Sequence, residues 1–409
     1  MAHARILDFH DGSAGGNIEV MNPPPPLPVR TLVALCVLNH VALSGARLAL
    51  LEQALHLGVR SFAVGLMFAP FALATTLGAL PLGRWVDRIG ARRPVLAGMA
   101  LTTLALLAAA LWPSAAVLTA AAGLIGLGYT ASLIALQAEI ARGRDDAGRR
   151  AGFAAFATGT AASSGFGPFL AGQLMSHAGA CTAFGVLAAV SLASLAGGGL
   201  GAARVRSVNG SAPVRTRTPT TTSLRGLGGL RRLMLADLGM ALAWNANAFV
   251  VPIVVHGHGW RADVAGNLLG CFGAAVLLVR ALPHAWRAWG SEWRTVTRAL
   301  LASGAVLALL PLLPSIGAHI VLQLLLGCGL GSSLPSMMAL VEARTPAGRR
   351  GEVLGLRSAV LGFGAVTTPT AVTALVSIAG LVPALAVIGG ALVALGAAIA
   401  PRGGAQALS

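Results

Sequence analysis

The sequence contains no lysine, so all 29 of its basic Lys/Arg positions are arginine. Charged residues of either sign make up only 10% of its 409 positions, against roughly 25% in a soluble globular domain. That scarcity excludes an ordinary water-soluble fold, and a hydrophobic content of 56% with a mean hydropathy of +0.78 points the same way. Acidic residues number only 13, which leaves a formal net charge of +16. Nucleic-acid binding would need a basic face carrying base-reading or stacking side chains. No such segment stands apart from the apolar runs, so nucleic acid is excluded as a partner. The four cysteines, Cys36, Cys181, Cys271 and Cys328, lie far apart in or at the ends of apolar runs. No pair has zinc-ligand or redox spacing, and all four read as buried small residues. Residues 1–28 carry Asp8, Asp11 and Glu19 ahead of PPPPLP. They lack the apolar centre of a signal peptide and predict a disordered tail.

What the chain has in abundance is apolar runs of about 20 residues, long enough to span a hydrocarbon core of roughly 30 Å. They fall at 30–51, 62–82, 94–112, 116–140, 152–176, 180–200, 233–255, 264–282, 297–313, 318–341, 354–376 and 380–400. The reading is an all-α integral membrane protein with twelve transmembrane helices and both termini in the cytoplasm. Arginine placement tests that count. With this topology 26 of the 29 arginines fall in inward-facing segments, and only Arg47, Arg60 and Arg261 lie near outward-facing ends. A miscounted span would scramble the segregation that the positive-inside rule demands.

Segment 201–232 holds seven arginines and no acid, and reads as a solvated cytoplasmic linker that also enforces topology. It divides the chain into an N-terminal six-helix bundle at 29–200 and a C-terminal bundle at 233–400, followed by a tail at 401–409. The two bundles repeat each other at an offset near 200 residues. Gly58-Val-Arg60 recurs as Gly259-Trp-Arg261, and Gly126-Leu-Gly128 with Glu139 recurs as Gly329-Leu-Gly331 with Glu342. AGRR at 147–150 recurs at 347–350. Two parallel six-helix repeats suit a secondary transporter that rocks about a midplane cavity. A channel needs no such rocking, and an enzyme would need a cluster of nucleophile, base or metal ligands that is not visible here. No cofactor is implied.

Residues 83–93 read GRWVDRIGARR, between the second and third spans. The pattern Gly83, Asp87, Arg88, Gly90, Arg92, Arg93 resembles the signature of the major facilitator superfamily, and the two-bundle arrangement extends that resemblance over residues 29–400. In that family the loop is a cytoplasmic latch that holds the outward-open state. The resemblance implies a gating role for Glu139, Arg149, Glu342 and Arg349 at the matching helix ends, with a plain helix-end ion pair as the alternative. The counterpart loop at 280–294 has lost the pattern. In the fifth span, Gly165, Gly167, Pro168 and Gly172 resemble the Gly-Pro motif of drug–proton antiporters. Small residues there also suit close helix packing, and Pro168 predicts a bend. Ala122 stands where such antiporters carry an intramembrane arginine, so that proton device is missing or relocated.

Polar groups deep in a span default to functional hypotheses. Asn39 and His40 lie midway along the first helix, and Trp244, Asn245 and Asn247 midway along its counterpart, the seventh. They are candidate cavity residues, with interhelical hydrogen bonding as the alternative. His40 is a candidate proton carrier because imidazole titrates near neutral pH. Arg47 either binds an anionic group or pairs with Glu52 or Asp263 as an outer gate. Asp237, close to Arg231 and Arg232, reads as an inner salt bridge or a second proton-coupling site. His256 and His258 lack a third ligand, so no metal is expected. The leading expectation is a monomeric, bilayer-embedded transporter in a bacterial inner membrane, exporting a small-molecule substrate with protons as the coupling ion. The alternatives are an importer of a small organic anion or metabolite, and a non-transporting sensor that keeps the fold.

Overall fold

The computed structural model describes residues 28–141, 146–203, 228–282, 291–345 and 350–400, and the regular structure within them is helical throughout. In a bilayer, a single apolar run satisfies its own backbone N–H and C=O groups only as a helix. The first half comprises α1 (Val29–His56), a short α2 (Ser61–Met67), α3 (Ala69–Ile89), α4 (Arg92–Leu111), α5 (Ala115–Ala141) and α6 (Asp146–Ala203). The second half comprises α7 (Gly228–Gly257), α8 (Ala262–Ala281), α9 (Glu292–Leu309), α10 (Ile316–Arg344), α11 (Arg350–Ala379) and α12 (Leu381–Ala398). Among the described residues, 11 stretches are long and apolar enough to cross a membrane. α2 and α3 together supply one of them, running from Phe62 to Ile89. The twelve spans expected from sequence differ from this because 152–176 and 180–200 join into the single 58-residue α6.

α6 is broken once, at Gly179, where φ is 80° and ψ 171°. An L side chain rarely adopts that conformation, and glycine reaches it without strain. Gly380, which separates α11 from α12, has nearly the same angles, φ 85° and ψ 170°. Pro168 lies inside the continuous helical stretch ahead of this break, and Gly179 is the non-helical position inside α6.

The repeat seen in sequence is also present in the backbone. Gly58 and Gly259 have φ of 71° and 70°, and each follows the end of the first long helix of its half. Val59 N–H donates to Ala54 and Trp260 N–H to Val255, so both turns close with the same hydrogen bond. Gly58-Val-Arg60 and Gly259-Trp-Arg261 are thus one structural device used twice.

Within each half, small residues let helix backbones touch, which is how membrane helices associate when no hydrophobic gain separates lipid from protein. Gly98 of α4 lies against the backbone of Gly128 on α5, and Gly304 of α9 against that of Gly389 on α12. Between the halves two seams form: α6 lies along α8, while α2 and α3 lie along α11. The expected burial of all four cysteines holds for Cys36 alone; Cys181 is exposed and Cys271 and Cys328 are half-buried. Cys181 sits just past the Gly179 break, on the outer face of α6 rather than in a helix seam.

Candidate functional site

A cavity of about 310 Å³ lies between the two halves. α1 contributes His40, Ser44 and Arg47, α6 contributes Thr160 and Ser164, α7 contributes Trp244 and Asn247, and α8 contributes Phe272 and Arg280. His40 Nδ1 lies 2.7 Å from the Tyr129 hydroxyl of α5. Arg47 is held by ring faces, with its guanidinium carbon 5.6 Å from the Phe71 centroid and 5.5 Å from that of Phe249. Its hydrogen bond to Asn245 Oδ1 is long, at 3.5 Å, near the limit at which such a contact counts. Trp244 meets Phe272 edge to face at 5.0 Å. Asn247 and Gln323 exchange two amide hydrogen bonds, of 3.0 and 2.9 Å, and so fix one wall of the cavity to α10.

The halves are tied on the side of the cavity away from the 83–93 loop. Gln173 donates to Asn267 at 2.8 Å, and the Asp263 amide donates to Ser176 Oγ at 2.7 Å. A Cβ on Gly172 would lie 2.7 Å from the Ala262 carbonyl oxygen and 2.8 Å from Gly266 Cα. A Cβ on Gly65 would collide with Thr373 of α11. At the other end a Cβ on Gly83 would meet open space.

A family model described as Major Facilitator Superfamily matches residues 32–279 and 233–403. The chain belongs to the major facilitator superfamily. It is accordingly a multi-pass membrane transporter and not an enzyme. Its fold is similar to that of a crystal structure of the peptide transporter POT in complex with sulfate, with a TM-score of 0.75 at 15% identity over 91% of this chain and 94% of that one. A POT family transporter in complex with 5-aminolevulinic acid gives a TM-score of 0.68 at 14% identity, over 91% and 95%. The POT family transporter PepTSo gives 0.71 at 13% identity, over 92% and 97%. At such identities the likeness concerns the fold alone. No curated protein matches the chain in sequence.

The superfamily signature lies where α3 ends and α4 begins. Gly90, with φ 76°, terminates α3. Asp87, Arg88, Arg92 and Arg93 are exposed, and among the described residues they form neither hydrogen bond nor ion pair. Glu139, Arg149 and Glu342 each have an interaction partner. Arg349 lies outside the described residues, as do 283–290 of the counterpart loop and 204–227 of the linker. The helix-five residues face neighbouring helices. Gly165 packs on Gly273 of α8, Gly172 on Gly266, and Gly167 on the backbone of α1, where a Cβ would sit 2.6 Å from the Val41 carbonyl oxygen. Pro168 lines the cavity.

Several expected pairings are replaced. Arg47 does not meet Glu52 or Asp263. Asp263 faces Arg261 at 3.6 Å, and Glu52 is buried with Oε1 unpartnered. Asp237 does not pair with Arg231 or Arg232. It takes Arg357 of α11 in a two-point contact, Nε to Oδ2 at 2.8 Å and Nη2 to Oδ1 at 3.2 Å. Arg232 instead donates to the Ile399 carbonyl and lies over Trp293, 4.5 Å from the ring centroid. Asn39 is 1% exposed and donates to Ser132 Oγ at 2.8 Å, so it belongs to the α1–α5 seam and not to the cavity. Successive residues on a helix point about 100° apart, so Asn39 and its neighbour His40 serve different faces. Among the described residues no group of three His, Cys, Asp or Glu stands together as a metal site.

Sequence reading gave Tyr129 and Arg280 no place in the site, and it set Gln323 aside for want of a distinguishing context. Tyr129 follows the repeated Gly126-Leu-Gly128 and is the only tyrosine in the chain, a signal that was available. Arg280 looked like a loop arginine because Pro283 follows it closely, yet it occupies the last turn of α8 and faces the cavity.

Proposed function

We propose that this superfamily member carries a small organic solute across a bacterial inner membrane by alternating access. The observation that supports the reading most strongly is the cavity itself, walled by helices of both halves and tied shut by direct contacts on one side. On this proposal the arginine-rich end is cytoplasmic, and the conformation described is closed at the outer end with its cytoplasmic latch disengaged. The Gly179 break corresponds to the Gly380 turn of the other half, so α6 is proposed to cross twice, giving twelve spans with both termini inside. His40, hydrogen-bonded to Tyr129 at the cavity wall, is the proposed proton site. Asp237 is proposed as structural, because its carboxylate is matched to Arg357.

Export was favoured by the helix-five motif. In the structure those glycines are packing positions at the α6–α8 and α6–α1 seams, a role that serves either direction of transport. Uptake of an organic anion is the second reading, favoured by Arg47 in the cavity wall. The test of alternating access needs no known substrate. Ala248 lines the cavity; an Ala248→Cys variant in a cysteine-free background is treated with a membrane-impermeant maleimide from each face of oriented vesicles. Labelling from both faces is the expected result, and labelling confined to one face contradicts the proposal.

The same reporter tests the latch. Among the described residues Asp87 has no partner in this conformation, so Asp87→Asn is expected to leave thermal stability unchanged. It removes a charge-assisted contact from the opposite conformation, worth about 1.5–3 kcal/mol. Outer-face labelling of the Ala248→Cys reporter should therefore fall by about tenfold or more. Equal labelling rates with and without the substitution would show that Asp87 does not bias the two conformations.

A further inference from the structure

Among the described residues, the cavity is lined by two guanidinium groups and no carboxylate. Arg47 reaches it from α1 in the first half and Arg280 from α8 in the second, and none of its lining residues is Asp or Glu. Both arginines are poorly satisfied. Among the described residues, Arg47 Nε is buried without a hydrogen-bond partner, and the residue's single side-chain bond is the 3.5 Å contact to Asn245. Arg280 Nε is likewise buried without a partner, and among the described residues Arg280 makes no hydrogen bond or ion pair. A guanidinium offers five N–H donors and stays charged at every physiological pH. Leaving such a group half-buried and unmatched is costly.

Two other half-buried arginines of the second half show what this fold does when the role is structural. Arg357 is matched to Asp237 at two points, and Arg232 is bound to a carbonyl and covered by Trp293. Arg47 has two phenyl faces and one long bond to Asn245, and Arg280 has no hydrogen-bond or ion-pair partner among the described residues; neither is matched by a carboxylate there, and both face the same space. Around them stand hydroxyl groups of Ser44, Thr160 and Ser164 and the aromatic faces of Trp244 and Phe272. At about 310 Å³ the space is at the small end of the range for ligand sites.

From this arrangement we infer that the transported solute is a small organic dianion, whose acidic oxygens engage Arg47 of one half and Arg280 of the other. A charge of two matches the two permanent positive charges of a low-dielectric cavity. Forked guanidiniums suit carboxylate and phosphate oxygens alike. Because the two arginines belong to different halves, a solute bound to both would also draw the bundles together. The inference rests on the alternating-access reading and adds the chemical class of the cargo.

The test is ligand binding by the purified full-length protein in nanodiscs, followed by thermal shift and calorimetry. Succinate and glycerol 1-phosphate are the probes, one for each acid type, with butyrate and succinamide as singly charged and neutral controls. The expected result is that at least one dianion stabilises the protein at millimolar concentration, that the controls do not, and that raising the salt concentration weakens the effect. Arg47→Gln and Arg280→Gln should each lower dianion affinity more than tenfold. Should either variant fail to fold, Arg47→Lys or Arg280→Lys keeps the charge but loses the fork, and should give a smaller loss of affinity. Stabilisation by succinamide equal to that by succinate, dianion binding that survives both glutamine substitutions, or no effect from either dianion would overturn the inference. Two-sided labelling of the Ala248→Cys reporter would still stand in each of those cases, so a failed cargo assignment is distinguishable from a failed transport mechanism.

Discussion

Replacing Asp237 with alanine is expected to destabilise the protein by about 3–5 kcal/mol, the largest stability effect of any single substitution considered. The carboxylate is 2% exposed and its partner Arg357 13% exposed, so solvent does little to screen the pair. Removing the acid leaves a guanidinium buried between α7 and α11 with nothing to neutralise it. The expected reading is a large fall in melting temperature of the detergent-solubilised protein. Arg357→Ala should cost a similar amount, for the mirror-image reason. The paired replacement Asp237→Leu with Arg357→Leu should recover most of the loss, because removing both charges of a buried pair is often neutral or stabilising. A single substitution without effect would mean that the pair does not hold α7 to α11.

Gly172→Leu is expected to produce the largest conformational effect. Its Cβ would lie 2.7 Å from one backbone atom of α8 and 2.8 Å from another, and backbone cannot move aside as a flexible side chain does. Overpacking of this kind costs about 1–3 kcal/mol, here charged only to the conformation in which α6 and α8 touch at this level. Each half should therefore fold normally while the equilibrium between conformations shifts by about tenfold to a hundredfold. The Ala248→Cys reporter reads that shift directly: labelling from the outer face should accelerate and labelling from the cytoplasmic face should slow. Unchanged labelling would mean that the α6–α8 seam is not part of the outer closure.

Those two expectations also show what the sequence could and could not disclose. The repeat was legible because it is written in glycines whose backbone angles side chains reject; Gly58 and Gly259 are the clearest pair. The superfamily signature was legible because its residues are contiguous. Partners distant in sequence were not. Asp237 and Arg357 are 120 positions apart, whereas Arg231 and Arg232 were near at hand and drew the assignment. Helix geometry already argued against them, since only residues three or four apart share a face, and those two lie five and six positions from Asp237. Arg280 was missed for a related reason. The apolar run before it and the proline after it made the helix look finished, yet its last turn still reaches the cavity. The apolar runs 152–176 and 180–200 join through Gly179 into one continuous α6, so the number of runs and the number of helices differ there. The cavity positions fared unevenly because adjacent residues on one helix serve different faces, as Asn39 and His40 do.

The central claim is that two bundles alternate about the cavity they share. Its most direct test places spin-label pairs across the halves at both ends. Leu57 and Val382 are exposed positions at the arginine-poor end, and Ala151 and Ala343 are exposed at the arginine-rich end. Distance distributions measured for each pair by double electron–electron resonance in nanodiscs should each contain two populations. Gly172→Leu should lengthen the outer distance and shorten the inner one together. A single distance at both ends, unmoved by that substitution, would contradict alternating access in this protein.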